Sequence, residues 1–370
     1  MRPFRRLLTL FFAAASLSSR ASADGLPSKP YDVVRLAEGV YAFLWKDPIQ
    51  DVIESNSLFV INDQDVLVVD TGFVPSTARV MAAELKKLTD RPVRYVVNTH
   101  WHDDHHGGNE VYRELWPSVE FVAHRDTRAD ILGQTWTTRP KDVENLRAQG
   151  AKYARWAESG VGDDGQPLEP RRRERAREIA AFSPALAAEL EATHPTPPDL
   201  TFDDRLVLNR GARTIEILWL GRGNTKGDVV VFLPKERIAA TGDLFVQPIP
   251  FGIGSYYADW AATLARLDAL EADVLVPGHG RVQQDHRYLR QVQGLIQALV
   301  AEVDRAVAAG ASLEETQKRV TLSDWKVRFA GDDPTLQRSF ELFFVQPAVA
   351  RAWHQAKRDG EADAPVVRGG

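Results

Sequence analysis

Residues 98–109 read Asn-Thr-His-Trp-His-Asp-Asp-His-His-Gly-Gly-Asn, directly after the apolar run Val93–Val97. Four of the chain's nine histidines and two carboxylates fall between His100 and His106. Imidazole and carboxylate are the usual nitrogen and oxygen ligands of zinc, and a catalytic site takes about three of them plus an open position. The apolar run reads as a strand, so the ligands sit on a loop at a strand's carboxyl end, where α/β sheets place their sites. His100 and His102 are two apart and project to one side, whereas the adjacent Asp104 and His105 diverge. Divergence suits a second ion or the far side of one. The alternative, a solvated polar loop, does not account for this spacing beside the Gly107-Gly108 turn together with the downstream partners.

The same strand-then-ligand rhythm runs along the chain. Strands are expected at Val40–Phe43, Ser57–Asn62 and Val66–Val69, the last closed by Asp70-Thr71-Gly72. Ser76 is placed to cap a helix through Leu88, with Val80, Met81, Leu85 and Leu88 at helical spacing. Strand patterning returns at Leu206–Leu208, Thr214–Leu220, Val229–Phe232, Arg237–Ala240 and Val274–Leu275. Three of these lead into glycine-flanked candidates: Gly223-Asn224-Thr225, Thr241-Gly242-Asp243 and Pro277-Gly278-His279-Gly280. Glycine lets backbone and ion approach closely.

Residues 139–199 change character. Lys141–Glu158 and Arg171–Ala192 are charged, alanine-rich and helical, which reads as a helical insertion covering one side of the site. The run Arg171 to Arg175 is either a docking patch or a solvated helix face, and its alternation with glutamate favours the second. A helix at Ala258–Leu270 and a helical tail (Tyr288–Val307, Leu313–Val320, Thr335–Lys357) complete the chain. The expected organisation is a leader at 1–23, an α/β domain at 24–284 and a helical extension at 285–370.

The leader has a basic start (Arg2, Arg5, Arg6), an apolar core Leu7–Leu17 too short to span a bilayer, and the small-residue site Ala21-Ser22-Ala23. Cleavage after Ala23 implies a periplasmic or secreted protein with no stable membrane anchor. It also removes four arginines and no acids, taking the formal charge from −5 to −9, which disfavours nucleic-acid binding. The chain has no cysteine, so its fold rests on its core and not on disulfides.

Five motifs, spread from Val33 to Arg281, resemble the metallo-β-lactamase superfamily in order and spacing. The resemblance implies an αββα sandwich with a two-metal site at one edge and a small-molecule substrate. It implies that His100 and His102 bind one zinc, that Asp104, His105 and His279 bind a second, and that Asp243 bridges them. It also implies that Asp70 braces the metal loop without touching metal. One position departs from the family: the first ion's third histidine is replaced by Asn224, a neutral and poorer donor to zinc. Three readings follow: a two-metal site with a weak first position, a single ion held by Asp104, His105, Asp243 and His279, or a degraded site. The intact remainder of the motifs favours an active enzyme.

The implied chemistry is attack by a metal-activated hydroxide, oriented by Asp104, on an ester, thioester, lactone or lactam. Aspartate at 243 is similar to the thioesterase and general hydrolase branches, whereas antibiotic-degrading branches usually carry cysteine or serine there. Lactamase action is the leading specific alternative, and a non-catalytic metal- or partner-binding module is the alternative from another class. Trp101, Phe251, Tyr256, Tyr257 and Trp260 are expected to line a substrate cleft, although Trp260 reads equally well as a core residue. Arg222 and Lys226, which flank Asn224, are candidates to hold a substrate anion.

Overall fold

The structure, a computed structural model, describes residues 31–46 and 54–358. The expected leader at 1–23 lies outside the described residues. Among these residues no helix is long and apolar enough to cross a membrane.

The first sheet runs β1 (Tyr31–Ala37), β2 (Val40–Trp45), β3 (Ser57–Ile61), β4 (Val66–Val69), β5 (Val93–Val97), β6 (Glu120–His124) and β7 (Leu200–Phe202), in that spatial order. The first four strands pair antiparallel and β4 to β7 pair parallel. Parallel pairing requires crossovers. They are α1 (Pro75–Leu88) and the two short helices α2 (Asp103–His106) and α3 (Asn109–Leu115). The third crossover holds α4 (Arg125–Asp130), a π-helical turn Ile131–Thr135, and the long pair α5 (Trp136–Ser159) and α6 (Pro170–Ala192). The second sheet orders β12 (Val274–Pro277), β11 (Ile238–Gly242), β10 (Val229–Leu233), β9 (Arg213–Trp219) and β8 (Arg205–Arg210).

Alternation decides the layers. Leu67 and Val69 of β4 face Val229, Val231 and Leu233 of β10 across the space between the sheets. Their neighbours Val66 and Val68 point outward onto Met81 and Leu85 of α1. In β10, Val230 and Phe232 turn the other way, onto α7 (Tyr257–Asp268) and α8 (Arg287–Ala308). Each fully buried aliphatic side chain contributes about 1.5–3 kcal/mol. The product is a four-layer αββα sandwich.

The tail, α8 with α9 (Leu313–Arg319), α10 (Ser323–Ala330), α11 (Pro334–Phe340) and α12 (Gln346–Lys357), shares one apolar cluster with the second sheet's outer face. The helix expected over Thr335–Lys357 is interrupted by a π-helical turn at Glu341–Val345, between α11 and α12. Ser76 does not cap α1. Pro75 occupies the first turn, and the Thr77 hydroxyl donates to Val74 O at 2.8 Å, while the Ser76 amide donates to Glu189 of α6 at 3.1 Å. In the basic run, Arg173 donates to the carbonyls of Ala157 and Glu158 at 2.8 and 2.9 Å, closing the end of α5. Cations at a helix C-terminus are stabilising there, so this residue holds the hairpin together.

Candidate metal centre

The site assembles where β4, β5, β11 and β12 end on one edge of the sandwich. Asp70 follows β4 with φ of 59°, a left-handed conformation that aspartate tolerates and most residues avoid. From there its carboxylate accepts from the Thr99 amide and hydroxyl, both at 2.8 Å, and meets His105 Nδ1 at 2.7 Å. The Thr71 amide donates to His105 O at 2.9 Å. Gly108 makes this closeness possible, because a Cβ there would lie 2.2 Å from Thr71 O.

His100 Nε2 and His102 Nδ1 converge to 2.9 Å. Asp243 stands between the candidate half-sites, with Oδ2 3.7 Å from His100 Nε2 and Oδ1 3.3 and 3.4 Å from Nε2 of His105 and His279. Asp104 Oδ2 is 3.1 Å from His279 Nε2 and 3.4 Å from His105 Nε2. Two sets, His100 with His105 and Asp243, and Asp104 with His105 and His279, each hold their ligand atoms within 4.8 Å of one another. His279 is oriented by Glu54 O, 3.0 Å from its Nδ1.

These residues fit a metal. Asp243 Oδ1 and His105 Nε2 are buried yet have no hydrogen-bond partner among the described residues. Leaving buried polar atoms unpaired costs about 1–3 kcal/mol each, and ligation of an ion removes that cost. The outer hydrogen bonds from Asp70 to His105 and from His279 to Glu54 O are those that orient ligating imidazoles.

Electrostatics agree. Burial opposes charge on His105, but the Asp243, Asp104 and Asp70 carboxylates hold its pKa well above the usual imidazole range. Burial likewise works against Asp104 and Asp243, and the facing histidines hold both well below the usual carboxylate range. His100 is driven down by burial and by His105 and His102. For His279 burial also lowers the pKa, but Asp243 and Asp104 outweigh it and push the group up to about 9. A raised pKa means that, without metal, this group stabilises the fold fully below pH 6.5 and loses its contribution as pH rises through 9. Zinc must displace that proton. Apparent zinc affinity of the stripped protein is therefore expected to rise about tenfold per pH unit for each displaced proton over this window, read by chelator competition. A flat profile would contradict these pairings.

Gly278 offers a steric test. A Cβ there would sit 2.0 Å from Asp243 Oδ1 and 3.0 Å from His105 Cε1, with the Gly242 carbonyl carbon also at 3.0 Å. Gly278→Ala is expected to lower zinc affinity about tenfold or more, since it must displace a central carboxylate. Unchanged affinity in the folded variant would show that the contact is not tight.

Asn224 is 1 % exposed, in the loop between β9 and β10. Ser255 Oγ lies 3.3 Å from its Oδ1. The expected aromatic cleft needs correction. Tyr256, Tyr257 and Trp260 are 7, 0 and 1 % exposed. Tyr257 and Trp260 lie three apart on the inner face of α7 and fill the core against the second sheet, and the Trp260 indole donates to Leu244 O at 3.0 Å. Tyr256 is covered by the Arg222 guanidinium, 4.6 Å from its ring. Trp101 and Phe251 do flank the ligands, with ring centres 4.7 and 6.1 Å from that of His102. Arg222 pairs with Asp259 at 2.6 Å and Lys226 with Asp130 at 3.1 Å, so both candidate anion holders already have partners.

Sequence reasoning missed Thr99, which links Asp70 to the loop, and Asp228. The Asp228 carboxylate accepts from the Thr225 amide and hydroxyl at 2.7 and 2.9 Å, and burial pushes it up to about 7 despite those bonds. Neither residue stands out by type or spacing. His106 is turned away from the ligands, its Nε2 2.9 Å from Trp101 O.

Comparison with known proteins follows the same lines. The family model described as the metallo-beta-lactamase superfamily matches residues 51–279. A linear primary-alkylsulfatase from a Pseudomonas species is 25 % identical over 289 residues, 75 % of this chain and 51 % of the relative. A hydroxyacylglutathione hydrolase from Gloeobacter violaceus is 35 % identical over 88 residues, 23 % of this chain and 33 % of the relative. The chain thus spans about half the length of the first curated relative and less of the second. A solved metallo-beta-lactamase from Pontibacter korlensis superposes with a TM-score of 0.50 at 22 % identity, covering 72 % of this chain and 99 % of that one. With a family model covering more than half of its residues and the matching fold in place, the chain belongs to the metallo-beta-lactamase superfamily.

Proposed function

We propose that this protein is a zinc-dependent hydrolase that cleaves an ester, thioester, lactone or lactam in a small molecule. The observation that carries the reading is Asp243, whose two oxygens reach His100 on one side and His105 and His279 on the other. When bound, zinc supplies a water whose pKa falls from 15.7 to about 7 and polarises the group under attack.

The chain's own residues do the rest. Asp104, kept ionised by His105 and His279, is an acceptor for the proton given up by the attacking water. Asp70 fixes the His105 ring so that Nε2 faces inward. Trp101 and Phe251 offer an apolar wall beside His102. The relative named an alkylsulfatase adds sulfate esters to the bonds worth assaying.

The test is a panel of carboxylic esters, thioesters, lactones, alkyl sulfates and a chromogenic cephalosporin with metal-analysed full-length protein. Hydrolysis that a chelator abolishes and zinc restores is the expected result. A protein that binds no zinc, or cleaves as well without it, overturns the reading. Residues 1–23 we infer to be an export leader, and a mature amino terminus other than Asp24 in the exported protein would refute the assigned cleavage site.

A further inference from the structure

The metal loop has two sets of contacts. His100, Asp104 and His105 reach Asp243 or His279, and His102 meets His100. The residues interleaved with them, Trp101, Asp103 and His106, are bonded instead to one another and to the helical insertion.

Arg139, near the start of α5, is buried, and so is the carboxylate it meets, with Nη2 3.4 Å from Asp103 Oδ1. Its Nη1 donates at 3.2 Å to the carbonyl of Thr193, the residue that ends α6. Asp103 Oδ1 also lies 3.4 Å from His106 Nε2. Both separations are long for a hydrogen bond but within ion-pair range. His106 Nε2 faces a second oxygen, Trp101 O at 2.9 Å, so the network assigns the ring proton to Nε2, which donates. The Thr135 hydroxyl, from the π-helical turn ahead of α5, donates to the same carbonyl at 3.4 Å.

Two donors on Trp101 O fix the plane of the peptide that joins Trp101 to His102, because carbonyl and following nitrogen form one rigid unit. Asp103 then continues the chain to Asp104, so Arg139 grips the loop between two of the candidate ligands. Burial of an ion pair is weak evidence for stability, but removal of either partner strands the other charge. Neither group can therefore drift far from the other. The segment leaving α6 is tied down as well: Asn109 of α3 donates to Thr196 O at 2.9 Å, and the His194 amide donates to Glu110 at 3.0 Å.

We propose that Arg139 is a positioning residue for the metal centre, holding the Trp101–His102 peptide in place through Asp103 and His106. The proposal rests on the metal reading above. It makes the helical insertion part of the centre's support as well as a cover for it, since groups that orient ligands change metal affinity about 10- to 100-fold.

Zinc, titrated against a competing chelator into metal-stripped full-length protein, tests this beside thermal melting. Arg139→Met is expected to weaken zinc binding about 10- to 100-fold. It also strands the Asp103 charge, so the decisive protein is the double variant Arg139→Met with Asp103→Asn, which leaves no uncompensated charge. That protein should melt near the wild-type temperature and still bind zinc about as weakly as Arg139→Met. Because Arg139 works through Asp103, adding Arg139→Met to Asp103→Asn should change zinc affinity less than about twofold. Arg139→Lys, which keeps the charge but loses the planar fork, should recover part of the affinity. A double variant with wild-type zinc affinity would show that Arg139 serves the fold alone, and single effects that multiply would show that it acts by another route. Either result overturns the proposal, as does unchanged affinity in Asp103→Asn, the milder and nearly isosteric variant. Wild-type protein that binds no zinc overturns the metal reading, and this proposal with it.

Discussion

Asp243→Ala is expected to remove both metal binding and turnover, lowering kcat/KM by about 10³ or more, which is roughly 4 kcal/mol of transition-state stabilisation. The size of the effect follows from position. No other carboxylate among the described residues lies within reach of His100, His105 and His279 together, at 3.7, 3.3 and 3.4 Å. Alanine also leaves His105 and His279 without the carboxylate that most raises their pKa values. The metal-free variant should therefore lose much of its pH-dependent stability between pH 6.5 and 9, because protonated imidazoles no longer gain from folding. Metal analysis, hydrolysis rates and melting against pH check the three parts. Near-normal zinc content in the folded variant would remove the central role given to this residue.

Asp70 is the second sensitive position, although it is not placed among the ligands. Asp70→Ala strips the acceptor from the Thr99 amide, the Thr99 hydroxyl and His105 Nδ1 at once. Each buried donor left unpaired costs about 1–3 kcal/mol, and alanine at a φ of 59° adds about 1–2 kcal/mol of backbone strain. The variant is expected to lose several kcal/mol of stability in denaturant unfolding and about 10- to 100-fold in zinc affinity. Asp70→Asn is the informative partner, since asparagine accepts the left-handed backbone but cannot take all three bonds. It should recover part of the stability and little of the affinity. Equal recovery of both would mean that Asp70 supports the fold alone.

Much of the site was legible because its chemistry is local in sequence. His100, His102, Asp104 and His105 lie on one loop, and their residue types and spacing point to a metal without any knowledge of packing. Asp243 and His279 were legible because each ends an apolar strand beside glycine. The inner strands were legible for a similar reason, since Val66–Val69 and Val229–Leu233 are buried on both faces and read as unbroken apolar runs. Strand β1 was missed because, at the sheet's edge, its burial is mostly intermediate and its sequence mixes Asp32 and Arg35 with valines. The break in the last helix was missed because Glu341–Val345 keeps helical patterning, and only packing of Phe344 against Tyr257 and of Gly252 against Phe343 places that turn.

The sequence by itself determined which groups can bind metal and the order in which strands deliver them, which are properties of residue type, period and spacing, while the sandwich was implied by the resemblance to the metallo-β-lactamase superfamily. Tertiary structure alone decided what surrounds the ligands. Tyr257 and Trp260 became core and not cleft because α7 turns that face onto the second sheet. Asn224 acquired Ser255 and, through the Ser255 carbonyl, Gln355, partners that no local pattern could supply because they come from segments brought together only by folding.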